Sequence, residues 1–134
     1  MHVTGHCHCG AIRFEADVDP ASARACHCTD CQILGGTAFT TNVVVNTGTF
    51  KLLSGAPATY IKTAESGNKR AHGFCPTCAT RLYSASVNKE PTDYALRIGT
   101  LDQRADLPPK REIWCRSALP WTKDVDGAVR SGKQ

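Results

Sequence analysis

Ala25 to Gln32 reads ACHCTDCQ and sets Cys26, Cys28 and Cys31 within six positions. How these thiols are used decides what kind of fold the chain has. A disulfide framework, a buried cluster of small side chains and a metal site each demand a different architecture. The chain has 134 residues and eight cysteines, the others being Cys7 and Cys9 in CHC, Cys75 and Cys78 in CPTC, and Cys115 alone. The N-terminal MHVTGHCHCG lacks the apolar core of a secretory signal. No run approaches the roughly 18 apolar residues of a spanning helix. A cytoplasmic chain is therefore expected, and in a reducing compartment clustered cysteines point to metal rather than disulfides.

A C-x-x-C pair in a turn aims two sulfurs at one ion. A C-x-C pair in an extended segment places both side chains on one face, because the strand period is two. Two such pairs brought together make a closed, tetrahedral four-cysteine site suited to structural zinc. If Cys7 and Cys9 join Cys75 and Cys78, the site staples the N-terminal segment to the FCPTC turn. Cys26, Cys28 and Cys31 are then left as three ligands with an open position, the arrangement of catalytic zinc. Two other partitions exist: Cys26 and Cys28 could pair with Cys75 and Cys78, or a histidine could complete a closed site.

Charge bears on both function and partner. Three thiolates on a dication leave a net −1, a weak Lewis acid better suited to a soft thiol than to making hydroxide. Seven thiolates bound to two dications would bring the formal charge from +4 to +1. The basic balance is then no argument for nucleic acid, and NKRAHGFCPTC lacks the interleaved aromatics of a nucleic-acid face. A nucleic-acid partner is not expected, nor is a membrane.

The rest of the chain reads as short strands. AIRFEADV, TAFTTNVVV, TFKLL, ATYIKT, RLYSASV, YALRIGTL and REIWC carry β-branched or aromatic residues between Gly and Pro turn signals. Only Pro20 to Leu34 offers a helical turn or two, with Asp19 as N-cap. The expectation is a mainly β domain over residues 3–123, a sandwich or partly open barrel, and a flexible tail over 124–134.

CHCG at 7–10, CHCTDC at 26–31 followed by GG, FCPTC at 74–78 and EIWCRSALPW at 112–121 resemble, in order and spacing, the glutathione-dependent formaldehyde-activating enzymes. The resemblance runs from Val3 to Trp121. It implies a mainly β, Mss4-like fold of short-stranded sheets stapled by zinc, with little helix. It also implies two zinc ions per chain. Cys7, Cys9, Cys75 and Cys78 would hold the structural one, and Cys26, Cys28 and Cys31 the catalytic one. The implied activity is that of a carbon–sulfur lyase joining formaldehyde to glutathione as S-hydroxymethylglutathione. Ala79-Thr80 departs from the Gly-Thr or Gly-Ser common in the family after FCPTC, which matters if that turn needs a positive φ. Rival readings are a zinc-stabilised protein- or nucleic-acid-binding module, and a metal-handling or redox protein.

Alternation turns His8 and His27 away from the metals into exposed positions, although His27 could relay a proton. His72 could lie near either zinc or be an ordinary strand residue. Asp30 orients an amide or caps a turn. Arg13, Lys69, Arg70 and Arg81 are candidates for glutathione carboxylates. Gly35 and Gly36 admit a ligand backbone or end the short helix. Trp114 and Trp121 read as core or pocket wall, and Cys115 as a small buried hydrophobe or a ligand that closes the open site.

Overall fold

A computed structural model describes residues 1–133, the side chains of 124–126 excepted. The chain is mainly β, as expected. β1 (His2–His6), β2 (Arg13–Asp17) and β5 (Lys51–Ser54) form a three-stranded sheet in the order β1-β2-β5. Val3, Phe14 and Ala16 are buried at alternate positions, and register sets Val3 opposite Ala16 and Gly5 opposite Phe14. A Cβ at Gly5 would meet the Phe14 ring at 2.4 Å, so the aromatic ring requires glycine across the strand pair.

The second sheet holds β3 (Arg24–Cys26), β4 (Thr40–Val44), β6 (Ala58–Thr63), β7 (Lys69–Phe74), β8 (Arg81–Ser86), β9 (Ala95–Arg97) and β10 (Arg111–Ile113). Its order is β10-β3-β4-β9-β8-β7-β6, and only the β10/β3 pair is parallel. Val43 and Leu96, paired across β4 and β9, join Val3, Phe14, Ala16 and Leu101 in one core. Phe50 stacks on Tyr94 at 4.3 Å between centroids and meets Phe14 at 5.7 Å, tying the sheets together. Each fully buried side chain of this kind contributes about 1.5–3 kcal/mol.

The other face of the large sheet positions the site. Following the register, Cys26 lies opposite Thr40, Arg24 opposite Asn42, Asn42 opposite Arg97, Ala95 opposite Ser84, and Ser84 opposite His72. Arg70 then lies opposite Lys62. The period of two thus sends the apolar residues inward and gathers a polar, basic row outward.

The expected helix over Pro20–Leu34 is mostly something else. A 3-10 turn, Pro20–Ser22, is capped by Asp19 as expected, its carboxylate accepting from the Ala21 amide at 3.0 Å. Strand β3 follows, and only then helix α1 (Thr29–Gly35). Three residues of β3 are strand because β4 and β10 hydrogen-bond on either side, which local propensity does not reveal. β1 and β7 are not among the segments read as strands above, although His72, on β7, is the strand residue it could be, whereas ATYIKT coincides with β6. The C-terminal residues pass through a 3-10 segment, Pro120–Gly127; Gln134, the end of the expected tail, lies outside the described residues. No helix of the described residues is long and apolar enough to cross a membrane.

Candidate functional site

The cysteines gather as two groups. Cys7, Cys9, Cys75 and Cys78 place their sulfurs within 4.8 Å of one another, and Cys26, Cys28 and Cys31 do the same. Neither C-x-C lies within a strand. Cys7 follows the end of β1, and Cys28 follows β3 as the N-cap of α1, its sulfur accepting from the Cys31 amide at 3.2 Å. Convergence therefore comes from turns at strand ends, not from a shared strand face.

In the four-cysteine group, Cys7 and Cys9 sulfurs are 3.5 Å apart, and Cys9 and Cys75 are 3.8 Å apart. Four sulfurs about 2.3 Å from one ion would stand about 3.8 Å apart, so the donor set fits a tetrahedral metal. Its surroundings hold Cys7 and Cys78 down, while the neighbouring sulfurs, Cys7 foremost, push Cys9 up to about 11. The Ile12 amide donates to Cys7 Sγ at 3.3 Å. The Thr80 hydroxyl, 3.2 Å from Cys78 Sγ, holds that thiol down to about 5. Cys7 and Cys75 are wholly buried. This is a closed site.

The three-cysteine group differs by opening onto a cavity. Cys26 and Cys31 line a pocket of about 360 Å³ together with Arg24, Asn42, Lys62, Arg70, His72, Arg97 and Trp114. Cys28 opens instead on a neighbouring cavity of about 690 Å³, with Lys62 and Trp114 on the wall common to both. The Cys26 thiol donating to Cys31, reinforced by Thr40 against the opposing effect of burial, holds Cys31 down to about 5. The same contact and burial push Cys26 up, and burial with Cys31 pushes Cys28 up. Three thiols that crowd each other's negative charge in this way are a donor set for a cation.

Thr40 is oriented for this task. Its Oγ1 accepts from Arg97 Nη1 at 2.9 Å and from Asn42 Nδ2 at 3.2 Å, which leaves its proton for Cys31. Arg97 also donates to Asn42 Oδ1. Gln32 of α1 donates to the carbonyls of His27 at 2.8 Å and Ser117 at 2.9 Å, fixing the helix to the C-terminal segment. Gly36 at φ 60 ends α1, so it acts as a helix stop.

Several sequence expectations need correction. His8 is exposed as expected, but His27 is 2% exposed, with Nε2 2.8 Å from Glu112 Oε1 and its ring against Phe39. It points away from the cysteines, yet into a covered site made by β10. Cys115 is exposed and outside both groups, because Trp114 at φ 58 turns the chain off β10. Trp114 is pocket wall; Trp121 is 54% exposed. Asp30 neither caps nor orients an amide but pairs with Lys62 at 2.6 Å. Of the carboxylate-binding candidates, Arg13 lies exposed on β2, Lys69 is exposed, and Arg70 lines the pocket while tied to Asp93. Arg81 is half-buried near Cys31 and Arg97. His72 is buried in the pocket lining; burial, then Arg81, Arg97, Lys62 and Arg70, hold it down to about 4, so it is neutral. Sequence reasoning missed Arg24, Thr40, Asn42, Lys62 and Arg97; the i, i+2 relation of Arg24 to Cys26 was the available signal.

Residues 2–117 match the profile of the family described as glutathione-dependent formaldehyde-activating enzyme. The chain belongs to that family. A Halomonas elongata protein described as a "Putative glutathione-dependent formaldehyde-activating enzyme" is 33% identical over 88 residues, which cover 62% of this chain and 55% of that protein. The chain thus spans about half the length of this curated relative. A crystal structure of a Rhodobacter sphaeroides protein has a TM-score of 0.61 at 23% identity, covering 81% of this chain and 98% of that one. It shows a shared fold. As a glutathione-dependent formaldehyde-activating family member, the chain departs at Ala79, whose φ of 60 is the conformation that favours the family's glycine.

Proposed function

We propose that this family member is a zinc-dependent, carbon–sulfur lyase-type enzyme that joins a small aldehyde to glutathione or a similar thiol, in the manner of an S-hydroxymethylglutathione synthase. The observation that carries the reading is the contrast between the two cysteine groups. One is closed and fits a tetrahedral ion, while Cys26 and Cys31 face a basic cavity of about 360 Å³. In this reading Cys7, Cys9, Cys75 and Cys78 hold a structural zinc, and Cys26, Cys28 and Cys31 hold the catalytic one. The domain runs over residues 3–123, and the unpaired thiols suit a reducing cytoplasm.

A zinc ion at the three cysteines would supply a position where a substrate sulfur is held as its thiolate. The chain's own residues do the rest. Thr40 and Arg97 fix Cys31, and Gln32 fixes α1, so the donor geometry exists before substrate enters. Cations along the pocket favour the deprotonated thiol over the neutral one. The sulfur lone pair forms the new C–S bond to the aldehyde carbon, the carbonyl π bond breaks, and its oxygen takes one proton for the one the thiol released. No oxidant or reductant is needed.

The test begins with metal content. Wild-type protein should carry two zinc ions, bind glutathione saturably by calorimetry, and speed the exchange between free and hydroxymethylated glutathione seen by NMR. Cys26→Ser should carry one zinc, keep its fold by circular dichroism, and lose both binding and exchange. Fully loaded wild-type protein that binds no thiol would sink the enzyme reading.

A further inference from the structure

The pocket holds more positive charge than its own acids balance. Lys62 is paired with Asp30 at 2.6 Å, and Arg70 is paired with Asp93. Arg97 spends one guanidinium nitrogen on Thr40 and Asn42. His72 is neutral. Arg24 stands apart. Among the described residues it has no ion-pair partner and makes no side-chain hydrogen bond, although it is half-buried in the pocket lining. Its five donors meet no protein acceptor and open onto the pocket, where they are free to take an anion.

Its surroundings add positive charge. β3 and β10 set Arg24 directly opposite Arg111, a cross-strand like-charge pair that destabilises a sheet. Within the protein, the Cys26 and Cys31 sulfurs on the same pocket wall are the negative groups that oppose this repulsion. An anion would offset it.

Position says which anion. Arg24 and Cys26 are two residues apart on one strand, on the same face, with Cα atoms about 6.6 Å apart. A sulfur held at the cysteine group and a carboxylate at Arg24 are then separated by a few bonds' reach, as in a cysteinyl peptide whose carboxylate lies one residue from its sulfur. From the geometry we infer that Arg24 is the anchor for a carboxylate of the thiol substrate, and that the pocket selects acidic thiols over neutral ones. This rests on the thiol-binding reading above and deepens it. The arginine fork takes a carboxylate through two parallel hydrogen bonds, with Arg111 adding charge from the rim.

Calorimetry with zinc-loaded protein separates the possibilities, using glutathione and its diethyl ester, which keeps the sulfur and loses both carboxylate charges. Zinc content and thermal melting are measured for every variant. The wild type is expected to bind glutathione more tightly than the diester. Arg24→Ala is expected to weaken glutathione binding by about tenfold to a hundredfold and to leave diester binding unchanged. Arg24→Lys keeps the charge without the fork and should weaken glutathione binding severalfold. It serves as the test if the alanine variant does not fold. Glutathione binding unchanged in these variants, or an equal loss for the diester, overturns the anchor while the thiol-binding reading stands. A wild type that binds neither compound overturns both.

Discussion

Cys9 Sγ and Cys75 Sγ lie 3.8 Å apart although 66 positions separate them along the chain. A metal at that group closes a loop that the unfolded chain would hold closed only at an entropic cost of about 4 kcal/mol. Cys75→Ser should therefore lower Tm by about 15 °C, whereas Cys31→Ser, at the group facing the pocket, should leave a folded protein with one zinc fewer. Scanning calorimetry with metal analysis checks this. Equal melting of the two variants would mean that the groups do not divide structure from function.

The CPTC turn carries a residue that its backbone disfavours. Ala79 sits at φ 60, and its amide donates to the Cys75 carbonyl at 2.8 Å, so the turn holds it there. A left-handed alanine costs about 1–2 kcal/mol, partly offset by the greater freedom glycine has when unfolded. Ala79→Gly should stabilise the protein by about 0.5–1 kcal/mol in denaturant melts. A destabilised variant would show that the methyl group makes a contact worth more than the strain.

Trp114 holds the same conformation, φ 58, on the wall between the two cavities, with Arg116 5.0 Å above its ring. A bulky side chain in the left-handed region is strained, and such strain gathers at binding sites. Trp114→Gly should change stability by less than about 1 kcal/mol, because relief of strain opposes the loss of a ring already 48% exposed. Thiol affinity should fall about tenfold. Unchanged affinity would place the ring outside the bound substrate.

His72 gives a pH signature. Its folded value of about 4 lies below the ordinary 6.5, so the unfolded chain binds the extra proton across that interval. Stability from this group is full above about 6.5 and is lost as pH falls toward 4. His72→Asn should flatten that part of the stability profile relative to the wild type. Thermal melts of both proteins from pH 7 to 4, compared at equal zinc content, test it; parallel curves would show that His72 does not titrate in the window.

Much of this protein was legible in its residues because the relevant relations are local. C-x-x-C and C-x-C spacings bring sulfurs within reach of one ion whatever surrounds them, and short β-branched runs between turns read as strands. The partition of the cysteines into a four and a three was one of three that the spacings allowed, and the one that the family resemblance implies. Other features depended on partners distant in sequence. β3 is a strand only because β4 and β10 flank it, so its residues looked helical beside Pro20 and α1. Arg24 became a pocket residue only once β3 existed. His27 was buried by β10, and Cys115 was turned outward by the bend at Trp114. Spacing within a turn fixes which atoms can share an ion. Only the pairing of strands decides which of those atoms face a cavity, because burial and charge at a position are set by whatever folds against it.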